Sequence, residues 1–492
     1  MSPNHLLVSL LFCFSNHSWV SFIGFSESYN EVYQEEIERY RKTMKVCDGE
    51  TEMDISTEAV AGCSADNENT GIMGELSAKT AAKSYWKKEL EDELDDLKLR
   101  EEWTFGKAKE GQQHTGSEDD AMEFVESKRS EHLYNHNCSK KCQDKGCGQL
   151  YVADGNWKLR YAHCMWKVPV IVPGFGEAKY PNICPLSPKR GHAFCERHCQ
   201  IAVAAGYPSE LRLFLKKCGV PDADKFTELE ETAAQNQDAL GPDIISVVDD
   251  NLKTCAQSSQ PGKWNASSYQ GTVEFLQSHP EFIDTDEQEI QVDCNKDTGG
   301  RRTLHCWSRG IFFIVSAGGH IDYWQPLYRS ESPTQAYLVL AIWLYRKFQA
   351  LKDSGQSTAQ ISNAMKSTIL AYDNMCHVDS LKISKKDLPF PAPFNKVWCT
   401  ITKVIDRLHL RNHKDPRCKQ LYNAEDKIPS QFNTMACEQT FVWGSRLKKI
   451  VCAMTRLHQF FFLHRSVKRR NRYTELCYSK NKTPVLPKLS AH

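Results

Sequence analysis

The sequence has no excess of either charge and no long uninterrupted apolar run. Its 492 residues carry 62 basic and 62 acidic side chains. The most apolar stretch, residues 6–25, resembles a signal-peptide core, but no Lys or Arg precedes it and Asn16 and His17 interrupt it. We therefore predict no transmembrane helix and no membrane partner. A signal peptide, a buried strand and an uncertain chain start stay open for that stretch.

The balanced charges are unevenly distributed. Residues 446–492 contain 12 Lys and Arg but one acid, whereas residues 89–102 are strongly acidic. Such asymmetry indicates a basic surface for nucleic acid, with a solvated helix face as the alternative. Residues 468–472 could also direct nuclear import. The candidates for phosphate contacts on DNA are Arg446, Lys448, Lys449, Lys468, Arg469, Arg470 and Arg472.

Cysteine is abundant, with 20 residues. In a short secreted chain this count would indicate disulfides, and that remains the less favoured interpretation. Here the chain length and the mixing of Cys with His favour zinc in a reducing compartment, while a reduced Cys-rich core is the alternative. The spacing does not show which ligands share a metal. The candidates are Cys138, Cys142, Cys147, His163, Cys164, Cys184, His192, Cys195, His198 and Cys199.

A second set of potential metal ligands lies later in the chain, at His409, His413 and Cys418. These side chains could bind another metal or position a phosphate. A structural pair of histidines is equally compatible with the pattern.

Composition and hydrophobic periodicity divide the chain into five parts. Residues 1–130 are predicted to be mostly disordered, with one amphipathic helix for which Ser84 is the candidate N-cap. Residues 135–200 hold the Cys/His cluster and the first strand, and residues 201–300 form a helical insertion. Residues 301–473 are predicted to form the α/β core, and residues 474–492 a basic tail.

Strand and helix patterns alternate through the core. Strands are predicted at residues 309–315 and 320–324, and a helix from Pro333. A strand ending at Asp373, a helix at 395–403, a strand at 404–410 and mostly helix at 433–473 follow. This alternation predicts an α/β fold with a mixed sheet.

Three acidic residues stand where these elements begin or end. Asp154 ends an apolar run and is followed by Gly155, which permits a sharp exit from a strand. Asp373 ends a second run, and Glu438 opens a late helix. Each acid alone could simply end a strand or cap a helix. Together they could hold two Mg²⁺ or Mn²⁺ ions for phosphodiester chemistry, roughly 4 Å apart.

Two of these acids lie in recognisable motifs. Residues 154–159, Asp-Gly-Asn-Trp-Lys-Leu, resemble the first-acid motif of the Kyakuja-Dileera-Zisupton (KDZ) transposases, and residues 372–376, Tyr-Asp-Asn-Met-Cys, resemble their second. The region from His409 to Trp443 resembles the family's His, His, Cys and Glu region. The Cys/His cluster is similar to the cysteine clusters associated with these proteins. Trp157 and Cys437 stand where the family usually has Phe and Gly.

The resemblance implies a ribonuclease-H-like fold, which has acids on its first strand, its fourth strand and a late helix. It implies metal-dependent DNA cleavage and strand transfer of the DDE type, with Asp154, Asp373 and Glu438 as catalytic acids. It also implies zinc-binding clusters and a nuclear location. The expected partners are DNA and a possible second copy of the chain.

Two functions follow from these observations. The first is a transposase-derived nuclease or strand transferase, active or decayed. The second is a non-catalytic, zinc-containing nuclear DNA-binding protein that reuses the same fold. Convergence of Asp154, Asp373 and Glu438 on shared metal ions would favour the first, and a Glu438 that points away would favour the second.

Overall fold

The computed structural model describes residues 22–34, 37–38, 76–99, 103–105, 114–166, 168, 172, 174–175, 178, 180–181, 183–217, 308–452 and 454–484. The chain divides into two units, Met1–Met122 and Glu123–His492. Most of the predicted helical insertion at residues 201–300 lies outside the described residues. So do most of the apolar stretch at residues 6–25 and the end of the basic tail.

The first unit holds short helical and strand segments. They are α1 (Phe22–Val32), α2 (Ala78–Asp96) and the parallel pair β1 (Trp103–Phe105) and β2 (His114–Gly116). Helix α3 (Glu118–Glu131) begins here and continues past the unit boundary.

Helix α2 is the amphipathic helix expected from the sequence, but it begins earlier than expected. The Ser77 hydroxyl caps it by accepting a hydrogen bond from the Thr80 amide at 3.1 Å. Ser84 therefore lies inside the helix, and the prediction that it is the N-cap is wrong. Trp86, Leu90 and Leu94 are buried, because their helical spacing places them on one face.

The second unit contains the remaining elements. Its strands are β3 (Leu150–Asn156), β4 (Ser308–Ser316), β5 (Ile321–Tyr328), β6 (Ile369–Tyr372) and β7 (Thr402–Val404). Its helices are α4 (Lys140–Gln143), α5 (Glu196–Ala204), α6 (Leu211–Lys217), α7 (Pro333–Asp353), α8 (Thr358–Ser367), α9 (Met375–Ser380), α10 (Val397–Thr400), α11 (Pro416–Tyr422), α12 (Ala424–Lys427), α13 (Ala436–Gly444), α14 (Lys448–Val451) and α15 (Arg456–Ser479). Short 3₁₀ turns occupy Lys382–Lys385, Phe394–Lys396, His409–Asn412 and Ser445–Leu447.

Strands β3 to β7 form one mixed sheet in the order β5-β4-β3-β6-β7. Strands β3, β4 and β5 pair antiparallel, whereas β6 runs parallel to both β3 and β7. The two parallel connections contain helices, as parallel strands require. The expected mixed α/β sheet is thereby confirmed.

The last strand is shorter and earlier than the sequence pattern indicates. It ends at Val404, and residues 409–412 form a 3₁₀ turn where a strand was expected. The reason lies in Asp406, whose carboxylate accepts hydrogen bonds from the amides of Leu408 and His409, both at 2.9 Å. An Asp that binds the amides following it favours a turn over an extended chain.

Helices cover the two faces of the sheet. Helix α7 buries an apolar face against it, including Tyr337, Leu340 and Trp343. Helix α13 contacts β3 and β4, and the Cys437 thiol donates to the Val152 carbonyl at 3.0 Å. Because Cys437 is 1% exposed at this contact, a small side chain is what the helix-to-sheet spacing allows.

Helix α15 is far more buried than its basic sequence indicates. Phe460, Phe461 and Phe462 are buried in the core. The Asn471 side chain pairs with both backbone groups of Ile321, at 2.8 and 2.9 Å, and so completes the hydrogen bonding of β5. No helix in the described part of the chain, the 24-residue α15 included, is long and apolar enough to cross a membrane.

The connection from β5 to α7 is held by one buried amide side chain. Gln335 is fully buried, accepts a hydrogen bond from the Tyr328 amide at 3.0 Å and donates to the carbonyls of Tyr328 and Ser330 at 2.8 and 3.0 Å. Glu331 lies within this connection. The path of this connection therefore depends on Gln335.

Replacing Gln335→Ala should lower the free energy of unfolding by about 3 kcal/mol, because buried backbone groups lose their partners. Urea denaturation would measure the loss. Gln349→Ala is the matched control, since its amide makes only an exposed contact with Asp353 on the same helix, and it should change stability by less than about 0.5 kcal/mol. Equal effects of the two variants would contradict this role for Gln335.

Candidate metal centres

Two of the predicted acids meet at one edge of the sheet. Asp154 lies near the end of β3, and Asp373 directly follows β6. The two strands run parallel, with Ala153 paired to Tyr372. Since parallel strands end at the same edge, the residues that follow this pair are neighbours. Each carboxylate accepts the amide of the next residue, at 2.7 Å for Asp154 and 2.6 Å for Asp373.

A third carboxylate, which was not predicted from the sequence, joins them from the segment between β5 and α7. Glu331 follows β5 and precedes the N-cap of α7, Ser332. Asp154, Glu331 and Asp373 each place an oxygen within 4.8 Å of the others. Asp154 ends an apolar run, whereas Glu331 stands three residues after β5, and nothing local shows that this strand end meets the others. We call these three residues the acidic cluster.

The approach of Glu331 requires the glycine that follows Asp154. A Cβ at Gly155 would lie 2.1 Å from the Glu331 Oε2 atom and 2.6 Å from its carboxyl carbon. Tyr372 holds the same carboxylate from the other side, donating to Oε1 at 2.8 Å. A larger side chain at position 155, near the end of β3, would therefore force the Glu331 carboxylate to move.

The electrostatics of the acidic cluster favour a cation. Burial raises the pKa of Asp154 well above its ordinary value, and the charges of Asp373 and Glu331 raise it further. Burial also raises the pKa of Asp373, to about 6, against the opposing effect of His409. Carboxylates that repel one another in a half-buried site are stabilised by a bound divalent cation. The all-oxygen donor set fits Mg²⁺ or Mn²⁺.

Glu438, the third predicted acid, lies beside the acidic cluster and outside it. It stands in the first turn of α13 with its side chain 41% exposed, and its Oε1 is 3.7 Å from the His409 Nε2 atom. The other ring nitrogen of His409 contacts Asp406 at 2.6 Å. That hydrogen bond raises the pKa of His409 to about 9, so the ring is cationic at neutral pH.

The first Cys/His centre precedes β3. It consists of His136, Cys138, Cys142 and Cys147, whose ligand atoms lie within 4.8 Å of one another. The His136 Nε2 atom is 3.1 Å from the Cys147 sulfur, and the Cys142 thiol lowers the pKa of Cys147. His136 was missed because it precedes the cysteine run, although its spacing to Cys138 was a usable signal.

The second centre consists of Cys164, Cys184, Cys195 and His198, all buried. The His198 Nδ1 atom is 3.4 Å from the Cys164 sulfur and 3.3 Å from the Cys195 sulfur. A hydrogen bond from Cys164 lowers the pKa of Cys184 to about 5, which favours the thiolate that a metal requires. Both centres are Cys₃His sets, the donor type of structural zinc.

Three predicted zinc ligands lie outside these two sets. His163 contacts the Cys164 carbonyl at 2.9 Å, His192 contacts the Ser209 hydroxyl at 3.2 Å, and the Cys199 thiol donates to the Phe194 carbonyl at 3.3 Å. These three side chains make structural contacts. Only their positions in the fold, which sequence spacing does not show, distinguish them from the metal ligands. The structure thus divides the single sequence cluster into two centres.

A third Cys/His group lies beside the acidic cluster. It contains the predicted His413 and Cys418 together with Cys376, whereas His409 faces Asp406 and Glu438. Burial lowers the pKa of His413, and a hydrogen bond to the backbone of Asp373 partly offsets this. Neutral imidazole is the form that binds metal.

The predicted DNA-contacting residues are only partly at the surface. Arg470 is buried, and Lys468 and Arg469 are half-buried, whereas Arg472 is exposed. Arg446 and Lys448, near the end of α13, are half-buried, and the side chain of Lys449 is not described. Trp157 is 47% exposed just beyond β3, with the Lys158 ammonium 5.8 Å from its ring centre.

Comparisons with protein-family models, with curated proteins and with solved structures give no match for this chain. The resemblance to KDZ transposases therefore stays a prediction.

Replacing Gly155→Ala should displace Glu331 and lower the affinity of the acidic cluster for Mn²⁺ by about tenfold or more, since the new methyl group occupies the carboxylate's position. Isothermal titration calorimetry on the folded full chain would measure it. Tyr337→Phe is the control, because it removes a tyrosine hydrogen bond, to the Ile383 carbonyl, elsewhere in the core. Unchanged affinity in Gly155→Ala would show that Glu331 is no ligand.

The affinity for Mn²⁺ should rise with pH across the pKa of Asp373, about 6. Below that pH the proton competes with the cation for the carboxylate, and above it the oxygens are free. The same titration at about pH 5 and about pH 7.5 tests this, with tighter binding expected at the higher pH. Equal affinity at both would contradict cation binding by Asp373.

Proposed function

We propose that this protein is a metal-dependent phosphodiester-cleaving enzyme of the transposase type, derived from a KDZ-like lineage. The observation that carries the proposal is the convergence of Asp154, Glu331 and Asp373 at the ends of three strands of one sheet. Strand ends hold side chains rigidly, and two-metal sites require such fixed oxygen ligands.

The arrangement of the sheet supports a ribonuclease-H-like fold. Three antiparallel strands come first, followed by two parallel strands connected through helices, and a late helix packs on the sheet. Asp154 lies on β3, the first strand of this sheet, and Asp373 follows β6, its fourth. Glu438 lies on the late helix, α13. The family resemblance implies the same placement of acids in a ribonuclease-H-like fold.

Each residue near the site has a proposed role. Asp154, Glu331 and Asp373 bind Mg²⁺ or Mn²⁺, which would supply charge stabilisation for phosphodiester cleavage. His409 orients Glu438, and Asp406 fixes the His409 ring by the 2.6 Å hydrogen bond. Glu438, which lies outside the acidic cluster and 3.7 Å from the His409 ring, is proposed to bind water beside a cation.

The exposed residues near the end of β3 are proposed to contact DNA. Trp157 presents an open aromatic ring three residues beyond Asp154, and bases stack on such rings. The half-buried Lys158 beside it adds positive charge that attracts phosphates, and the exposed Arg472 adds positive charge on α15, a different part of the chain. The buried Arg470 is better assigned to the packing of α15 than to DNA.

The two Cys₃His centres are proposed to hold structural zinc. They are built from residues before β3 and from the loop region after it, so that bound zinc would fix the segments on either side of the strand that carries Asp154. A nuclear location and assembly with a second copy remain part of the transposase proposal.

One observation favours the alternative, a non-catalytic DNA-binding protein that reuses the fold. Glu438 is paired with His409 and lies outside the tight acidic cluster. A transposase-type site whose third acid has turned away could retain the fold without the chemistry. Glu331, however, supplies a third carboxylate in its place, and we therefore favour the enzyme.

The decisive variant for activity is Asp373→Asn, assayed by Mn²⁺-dependent cleavage of duplex DNA. Cleavage should fall by about 100-fold or more, because the amide cannot supply the charge that the cation requires. The control is Asp353→Asn, an exposed acid at the end of α7 that should leave cleavage unchanged. Equal cleavage by all three proteins, or none by any, would contradict the enzymatic proposal.

A further inference from the structure

The third Cys/His group is assembled from three separate segments. Cys376 is the second residue of α9, His413 ends the 3₁₀ turn His409–Asn412, and Cys418 lies in α11. Their ligand atoms lie within 4.8 Å of one another, and the Cys376 sulfur is 3.6 Å from the His413 Nδ1 atom. Cys376 and Cys418 are buried, and His413 is half-buried.

Local interactions fix the approach of each segment. Asp415 caps α11 by accepting the Arg417 amide at 2.9 Å, and Pro416 occupies the first turn. This start places Cys418 on the inner side of the helix, where it is 0% exposed. The turn at Asp406 redirects the chain after β7 and so brings His413 back toward α9. The three side chains converge without any contribution from the Cys₃His centres.

We propose that Cys376, His413 and Cys418 hold a zinc ion at a third site, separate from both Cys₃His centres and from the acidic cluster. Two thiolates and an imidazole select zinc over Mg²⁺ and Mn²⁺, which prefer oxygen ligands. Three protein donors leave one tetrahedral position, which water would fill. His409 is excluded from this site, since its ring nitrogens face Asp406 and Glu438.

The position of this site gives it a further consequence. Cys376 lies three residues after Asp373, and the His413 Nδ1 atom is 3.6 Å from the Cys376 sulfur. Zinc bound here would therefore clamp the turn that carries Asp373 and the segment that carries Asp406 and His409. This clamping role rests on the proposed function of the acidic cluster, whereas the zinc site itself does not.

The zinc site is tested by counting zinc per folded chain by mass spectrometry, without DNA, Mg²⁺ or Mn²⁺. Cys376→Ser and Cys418→Ser should each contain one zinc fewer than the unaltered protein. Cys399→Ser, which removes an exposed thiol on α10, should lose none, and neither should His409→Gln. Equal zinc content in Cys376→Ser and the unaltered protein would overturn the site.

A second pair of variants keeps the test valid if those proteins fold poorly. His413→Cys retains a zinc-binding donor and should keep the third zinc, whereas His413→Ala should lose it. Equal zinc content in this pair would overturn the site. Because no cleavage is measured, failure of the enzymatic proposal leaves these outcomes unaffected.

The clamp is tested separately by Mn²⁺ titration of the folded Cys376→Ser protein. Loss of the third zinc should weaken Mn²⁺ binding at the acidic cluster by about tenfold, as loss of an outer support of metal ligands does. Cys399→Ser should bind Mn²⁺ as the unaltered protein does. Loss of zinc with unchanged Mn²⁺ affinity would overturn the clamp.

Discussion

The parallel pairing of β3 with β6 is the constraint on which the rest of the structure depends. These strands are separated by more than 200 residues, yet Leu150 pairs with Ile369 and Ala153 with Tyr372. This register brings Asp154 and Asp373 to one edge, and a shift of one residue would turn one of them to the opposite face. The Glu331 carboxylate then lies at this same edge. Tyr372 donates a hydrogen bond to it, and the missing side chain of Gly155 leaves space for it.

Two of the Cys/His groups, the first centre and the third group, lie close to the ends of this strand pair. The first centre ends at Cys147, three residues before β3, and Gly318 in the β4–β5 turn packs against its Cys142 sulfur. The third group begins at Cys376, three residues after Asp373. Metal binding at these places would hold the start of one strand and the exit of the other, leaving the acids little freedom to separate. The charge repulsion within the acidic cluster makes such restraint valuable, since it opposes close approach of the carboxylates until a cation binds.

Sequence patterns predicted what is local and missed what is assembled over distance. Asp154 and Asp373 were identifiable because an apolar run ends at each. Glu331 lacks that signal, and its role depends on Gly155 and Tyr372, which are distant in sequence. Cys376 was recognised as part of a motif, yet its partners His413 and Cys418 reach it only through the packing of α9 and α11. Arg470 shows the opposite case, because it is buried by the packing of α15 although its neighbours in sequence are basic.

Anomalous scattering from crystals of the full chain grown with Mn²⁺ tests directly whether the acidic cluster binds a cation. We expect an anomalous peak about 2.2 Å from carboxylate oxygens of Asp154, Glu331 and Asp373. The peak should disappear in Asp373→Asn crystals. If Mn²⁺ binds elsewhere and none lies beside these three carboxylates, the acidic cluster is not a cation site.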